Sequence, residues 1–87
     1  MPRVFLPPPL RRLADGLAVV ELDGESVADL IDALEARFPG IRARLCAGDR
    51  LRPGLNVAVN SEFSDLGLLQ RVQAGCEVHF VPAVGGG

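Results

Sequence analysis

The spacing of apolar positions changes several times along the chain, and each change marks an element. Val4, Phe5 and Leu6 form a short apolar run that Pro7, Pro8 and Pro9 stop, because a proline ring fixes φ and removes a ladder donor. The pattern predicts a brief first strand over residues 3–6 and an extended, irregular triproline. Residues 10–16 then turn, and Leu17-Ala18-Val19-Val20-Glu21-Leu22 returns as a β-branched strand closed by Asp23-Gly24. Ser26 opens the clearest helix: it can cap, Asp29 stands near the positive end of the dipole, and Val27, Leu30, Ile31, Leu34 and Phe38 repeat at helical spacing. That stripe faces a core, and Pro39-Gly40 ends it.

Ile41 with Leu45 predicts one further helical turn before Gly48 and Pro53-Gly54 mark a long loop. Residues 55–60 alternate with period two, which puts Leu55, Val57 and Val59 on a buried face and leaves Ala58 on the other. Asn60-Ser61-Glu62 reads as a turn, the leucines between 66 and 69 as a short irregular or helical piece, and Ala74-Gly75 as another turn. In the last strand, over residues 76–81, Val78 and Phe80 alternate with Glu77 and His79. Two strands, a helix and two more strands predict an α+β domain, a mixed sheet crossed by one main helix, over residues 1–84. Residues 85–87, three glycines, follow it as a flexible tail.

Composition narrows the classes. Eighty-seven residues at 48% hydrophobic content suit one domain. The apolar runs are far shorter than the roughly 20 residues of a membrane helix, so the expected setting is cytoplasmic, with no membrane contact. A net charge of −2 argues against a nucleic-acid partner. Cys46 and Cys76 lack metal or redox spacing, and His79 is the sole histidine, so no metal site is expected and two reduced, part-buried thiols are. All nine basic residues are arginine, so no side chain offers a primary amine on which copies of this sequence could be joined. Acidic residues from Glu21 to Glu35 precede a run of arginines from Arg37 to Arg52, which reads as a solvated surface or as partner steering.

The tail carries the candidate chemistry. Glycines admit a close approach to the backbone, so Gly85-Gly86-Gly87 reads as a slender arm whose carboxylate could enter a narrow site and attack the α-phosphorus of ATP. On composition alone a frayed end is the plainer reading.

The residues before the tail change that balance. Asn56-Val57-Ala58-Val59-Asn60, Gly75-Cys76-Glu77-Val78 and Val81-Pro82-Ala83-Val84-Gly85-Gly86-Gly87 resemble, in order, phrases of the MoaD/ThiS sulfur-carrier family, whose fold is the ubiquitin-like β-grasp. The likeness spans the chain, and the residues 5–11 and 82–84 look closest to carriers that supply sulfide for cysteine synthesis. Small subunits of molybdopterin synthase are nearly as similar. Two positions depart from the family pattern: Gly85 stands where a larger residue usually precedes the diglycine, and Cys76 where an aspartate is common.

The resemblance implies a non-catalytic carrier that binds no cofactor. An E1-like adenylating enzyme would use ATP to activate Gly87, sulfide would replace AMP, and the thiocarboxylate would pass sulfur to an acceptor. That acceptor would be cysteine synthase-like or the large subunit of molybdopterin synthase. Gly85 and Gly86 would thread the partner's active site, and Ala58, Phe80, Val81, Pro82 and Val84 would dock it. The alternatives are a molybdopterin synthase small subunit and a ubiquitin-like binding or conjugation module. A β-grasp ferredoxin needs four thiolates and finds two, and a hydrolase built on Cys46 or Cys76 with His79 lacks any local signature. The sheet face bearing Ala58 and Val81 is expected either to dock a partner or to lie under the loop of residues 50–54.

Overall fold

The main helix finds its partner in a five-stranded sheet. The computed structural model describes residues 1–82. In chain order it contains β1 (Arg3–Phe5), α1 (Pro8–Arg11), β2 (Val19–Glu21), α2 (Val27–Arg37), α3 (Ile41–Leu45), β3 (Cys46–Ala47), β4 (Arg50–Leu51), β5 (Leu55–Val59), β6 (Glu62–Phe63) and β7 (Glu77–Pro82). Strand order across the sheet is β2-β1-β7-β5-β6, with β1 parallel to β7 and the other neighbours antiparallel. The mixed sheet with its crossing helix is the expected β-grasp arrangement.

Local chemistry places α2. Ser26 Oγ accepts the Asp29 N–H at 3.1 Å, which satisfies one orphan donor of the first turn, and the Asp29 carboxylate reaches back to accept the Glu25 N–H at 3.0 Å just before the cap. The stripe Val27, Leu30, Ile31 and Leu34 is at most 2% exposed and packs in one core with Val4, Val20, Val57, Val78 and Phe80 from the sheet. Gly40, at φ +101°, reverses the chain in a conformation costly for any residue with a Cβ, and Ile41 and Leu45 extend the core from α3. Glu35 completes that corner, its carboxylate accepting the Arg42 N–H at 2.9 Å and the Gly40 N–H at 3.1 Å. These backbone bonds, Arg42's foremost, hold the Glu35 carboxyl below the ordinary value of 4.5.

Three expectations need correction. The prolines do not keep the chain irregular: Pro8 and Pro9 occupy the first turn of α1, where a missing N–H costs nothing because no intrahelical acceptor exists for it. The loop after α3 contains a hairpin, β3 with β4, in which Cys46 pairs with Leu51. Residues 60–62 are followed by a further strand, since Asn60 and Ser61 (φ 49° and 72°) form a two-residue hairpin turn that pairs Val59 with Glu62. β3, β4 and β6 span two residues each, too few to show a period.

Leu34 is wholly buried, so Leu34→Ala should destabilise the domain by about 2–4 kcal/mol in chemical denaturation, through lost transfer energy and the cavity left behind. The lowered Glu35 pKa means that its contribution is present above the unfolded-state value and lost as pH falls through the folded-state value. Glu35→Gln should therefore lower the unfolding midpoint at neutral pH and reduce its fall on acidification to about pH 3. An unchanged pH profile would show that this carboxylate does not hold the corner.

Candidate functional site

Period-two alternation along β7 gives one strand two surfaces. Val78 and Phe80 are buried under α2, whereas Glu77, His79 and Val81 are half-buried on the opposite face. Register then joins neighbours on that outer face: Val19 opposes Phe5, Phe5 opposes His79, His79 opposes Ala58, and Ala58 opposes Phe63. One row of largely apolar side chains thus crosses all five strands of the sheet. Phe5 and His79 stack with ring centroids 4.1 Å apart and planes 7° from parallel. Among the described residues the His79 ring makes no hydrogen bond with protein atoms. Phe63 at the far edge is 68% exposed and Val19 at the other 39%, so the row is open at both ends. Leu66 and Leu69 are also exposed, in the segment that follows β6.

Polar residues border the row on the side away from the tail. Arg3 bonds Glu77 at 2.7 Å across the parallel pair, and Glu21 pairs in register with Arg3. Asn60 ties the β5–β6 turn to the start of β7: its N–H donates to the Glu77 carbonyl at 2.8 Å, and its Oδ1 accepts the Glu77 N–H at 2.9 Å. This fixes where β7 begins and gives the Asn60 of the sequence motif a structural task. Gly75 in the preceding turn has φ +80°, the left-handed region that suits glycine.

At the other end lies the root of the tail. Leu55 opposes Pro82, so the turn over residues 52–54 sits beside the last described residue. Because β1 runs parallel to β7, the segment that follows Phe5, with α1 and the 3₁₀ turn Arg12–Ala14, caps the same end. Arg11 Nε donates to the Leu6 carbonyl at 3.1 Å, Arg12 is exposed, and Arg52, also exposed, donates Nη1 to the Ala43 carbonyl of α3 at 3.4 Å.

Of the expected docking residues, Val81 and Pro82 stand on the surface at the root, half-buried and exposed respectively. Phe80 is corrected: at 3% exposure it faces the core, as the alternation demands. Ala58 is corrected too, for although it lies on the outer face it is only 6% exposed, its methyl sunk between its cross-strand neighbours His79 and Phe63. Val84, Gly85, Gly86 and Gly87 lie outside the described residues. The loop of residues 50–54 does not spread over the face, because Leu51 turns inward and packs against the core. Sequence reasoning missed Val19, Phe5, His79 and Phe63 as one surface. An Asn-Gly turn would have revealed the hairpin bearing Phe63, but Asn60-Ser61 conceals it.

The described residues give no nucleophile–base pair. Cys46 is buried on the helix side, and burial pushes its thiol pKa up, with Arg42 opposing that shift. It borders a pocket of about 110 Å³ with Ile31, Asp32, Arg42 and Leu68, on the far side of the sheet from His79. Cys76 is buried as well. No three potential metal ligands converge among the described residues. No helix there is long and apolar enough to cross a membrane.

Comparison with known proteins gives the following. The model of the ThiS family matches residues 4–87. Among solved structures, the chain is 37% identical, with a TM-score of 0.91 and all of both chains covered, to one from the BexX/CysO complex of Amycolatopsis orientalis. It is 30% identical to CysO of Mycobacterium tuberculosis, with a TM-score of 0.88 and 97% and 100% of the two chains covered. It is likewise 30% identical to SAMP1 from Haloferax volcanii, at a TM-score of 0.73 over 99% and 98% of the two chains. A search of the curated proteins by sequence gives no match.

Proposed function

The chain belongs to the ThiS family, and from that premise we propose that it is a protein-based sulfur carrier whose C-terminal Gly87 carboxylate is adenylated by an E1-like enzyme and converted to a thiocarboxylate. The observation that carries the reading is the family match through residue 87, joined to a fold whose last strand, β7, lies at the centre of the sheet. The carboxylate oxygen attacks the α-phosphorus of ATP and pyrophosphate leaves. The resulting mixed anhydride gives up AMP when sulfide adds to the acyl carbon. Gly85 and Gly86 enter the partner's site because a Cβ there would meet its walls. The ATP is bound by the activating enzyme, and the carrier, a co-substrate with no catalytic group of its own, works in the cytoplasm.

The CysO likenesses support an acceptor of the cysteine synthase type over the molybdopterin synthase large subunit. Docking is assigned to the outer row and the tail root. Phe5, His79 and Phe63 join Val81 and Pro82 there, while Phe80 contributes only by fixing β7 to the core.

Incubation with the E1-like enzyme of the same host, ATP and a sulfide source should raise the mass by the difference between sulfur and oxygen, and removing Gly86 and Gly87 should abolish the change. An unmodified mass beside an enzyme shown to adenylate another carrier would sink the assignment. Val81→Asp and Phe63→Asp should each weaken binding to that enzyme by about 1–3 kcal/mol, the range for a central interface residue, and leave the unfolding midpoint nearly unchanged. Wild-type affinity in both variants would remove this face from the docking surface.

A further inference from the structure

We propose that the free edge of β2 receives an extended, basic segment of a partner protein as a sixth strand of the sheet. The site comprises residues 15–23 and stands independently of the carrier reading above.

The phase of the β1–β2 ladder decides which backbone groups are free. The Leu6 N–H donates to the Ala18 carbonyl at 2.9 Å, and the Leu22 N–H donates to the Pro2 carbonyl at 3.1 Å. With Val4 opposite Val20, residues 18, 20 and 22 therefore turn their backbone groups toward β1. Val19 and Glu21 turn theirs away from it. β2 ends the sheet on this side, and among the described residues no hydrogen bond reaches those outward N–H and C=O groups. Two donors and two acceptors at a two-residue spacing match the repeat of one more antiparallel strand. Neither a proline nor a bulge blunts the edge, since its register with β1 is continuous. The opposite edge, β6, offers only two residues.

Side chains say what the added strand should carry. Alternation buries Val20 and Leu22 and leaves Val19 and Glu21 on the outer face, where Val19, 39% exposed, ends the apolar row. A residue placed opposite Val19 would continue that row, so an apolar side chain suits it. Leu17, also exposed, asks for the same. Around Glu21 the requirement changes. Asp15, Glu21 and Asp23 are exposed, and none of them makes an ion pair among the described residues. Arg3, the register partner of Glu21, is engaged by Glu77. No basic residue stands between Arg12 and Arg37.

That charge selects the occupant. A second copy paired along this edge would bring its own three carboxylates to the same place, and like charges across a strand pair are destabilising. A cationic segment complements them. Read antiparallel to β2, the segment carries basic residues opposite Asp23 and Glu21 and apolar ones opposite Val19 and Leu17. Main-chain bonds to Val19 and Glu21 hold it, and the alternate side chains give it specificity.

The test titrates the full chain with the acetylated and amidated peptide Arg-Thr-Arg-Thr-Val-Thr-Val, whose order places the arginines and valines as just described. In amide NMR the shifts should saturate and centre on residues 17–23, and exchange of the Val19 and Glu21 N–H groups should slow. Methylating the backbone nitrogen of the valine opposite Val19 removes one donor and should weaken binding about tenfold. Glutamates in place of the arginines should abolish binding to the wild type and restore it to Glu21→Arg. Val19→Pro deletes an N–H that the domain itself does not use, so it should keep the unfolding midpoint near that of the wild type and lose the peptide. The proposal is overturned if no saturable shifts centre on residues 17–23, or if the methylated or the glutamate peptide binds the wild type as tightly as the parent peptide. It is overturned equally if the free chain forms a dimer that Val19→Pro dissociates, since the edge would then belong to a second copy.

Discussion

The parallel pairing of β1 with β7 is the constraint on which the other features depend. It draws the last strand from the edge into the centre of the sheet, with Val4 beside Val78 and Phe5 beside His79. Both valines are fully buried beneath α2, so the strand is held by the core and by hydrogen-bonded neighbours on each side. Parallel strands cannot be joined by a tight turn, and here the whole intervening chain serves as the connection. The C-terminal segment consequently starts from the most constrained strand in the molecule. Such an anchor would give accuracy to an element that presents a tether to another protein, because β7 is paired with β5 as far as Pro82.

That placement also explains the two-faced sheet. A central strand buried on both faces reads as a continuous apolar run, but β7 alternates, and its outer positions Glu77, His79 and Val81 grade from an ion pair through a stacked ring to an apolar side chain at the root. The polar end is fixed by Arg3 and by the reciprocal bonds of Asn60 with Glu77. The apolar end carries Val81 and Pro82, the last of the described residues. Exposed surface pairs such as Arg3 with Glu77 are worth only about 0–1 kcal/mol, so their service is to hold register more than to add stability.

Much of this was legible in the residues. The stripe from Val27 to Leu34, the capping Ser26 and the alternation of Leu55, Val57 and Val59 are local patterns, and the structure buries or half-buries the stripe and strand positions on one core. What could not be read is non-local. Phe5 and His79 share a stack across 74 residues of sequence, and nothing in either neighbourhood announces the other. Ala58 was assigned to the right face, but its exposure depends on the size of the side chains that register places beside it. Phe80 misled because adjacency to the tail in sequence is not adjacency on the surface: in a strand each step of one residue crosses the sheet. The prolines misled in the opposite way, since a residue that stops a strand can also start a helix. The acidic run looked like a solvated surface, yet Asp29 and Glu35 each satisfy backbone donors at a helix end, and Asp32 pairs with Arg42.

A reactive terminus also makes demands on the rest of the domain. Thiols are stronger nucleophiles than amines toward activated acyl groups when ionised, and both cysteines are withdrawn into the core, Cys46 with its thiolate further disfavoured by burial. The imidazole of His79 is held flat against Phe5 on the sheet face, and the Arg52 guanidinium, in the turn before β5, donates to the Ala43 carbonyl of α3. Hydrophobic burial withdraws the two thiols from solvent, and ring stacking covers one face of the imidazole. On the proposed carrier reading the chemistry of the terminus is left to the partner that receives it, because among the described residues no nucleophile stands paired with a base.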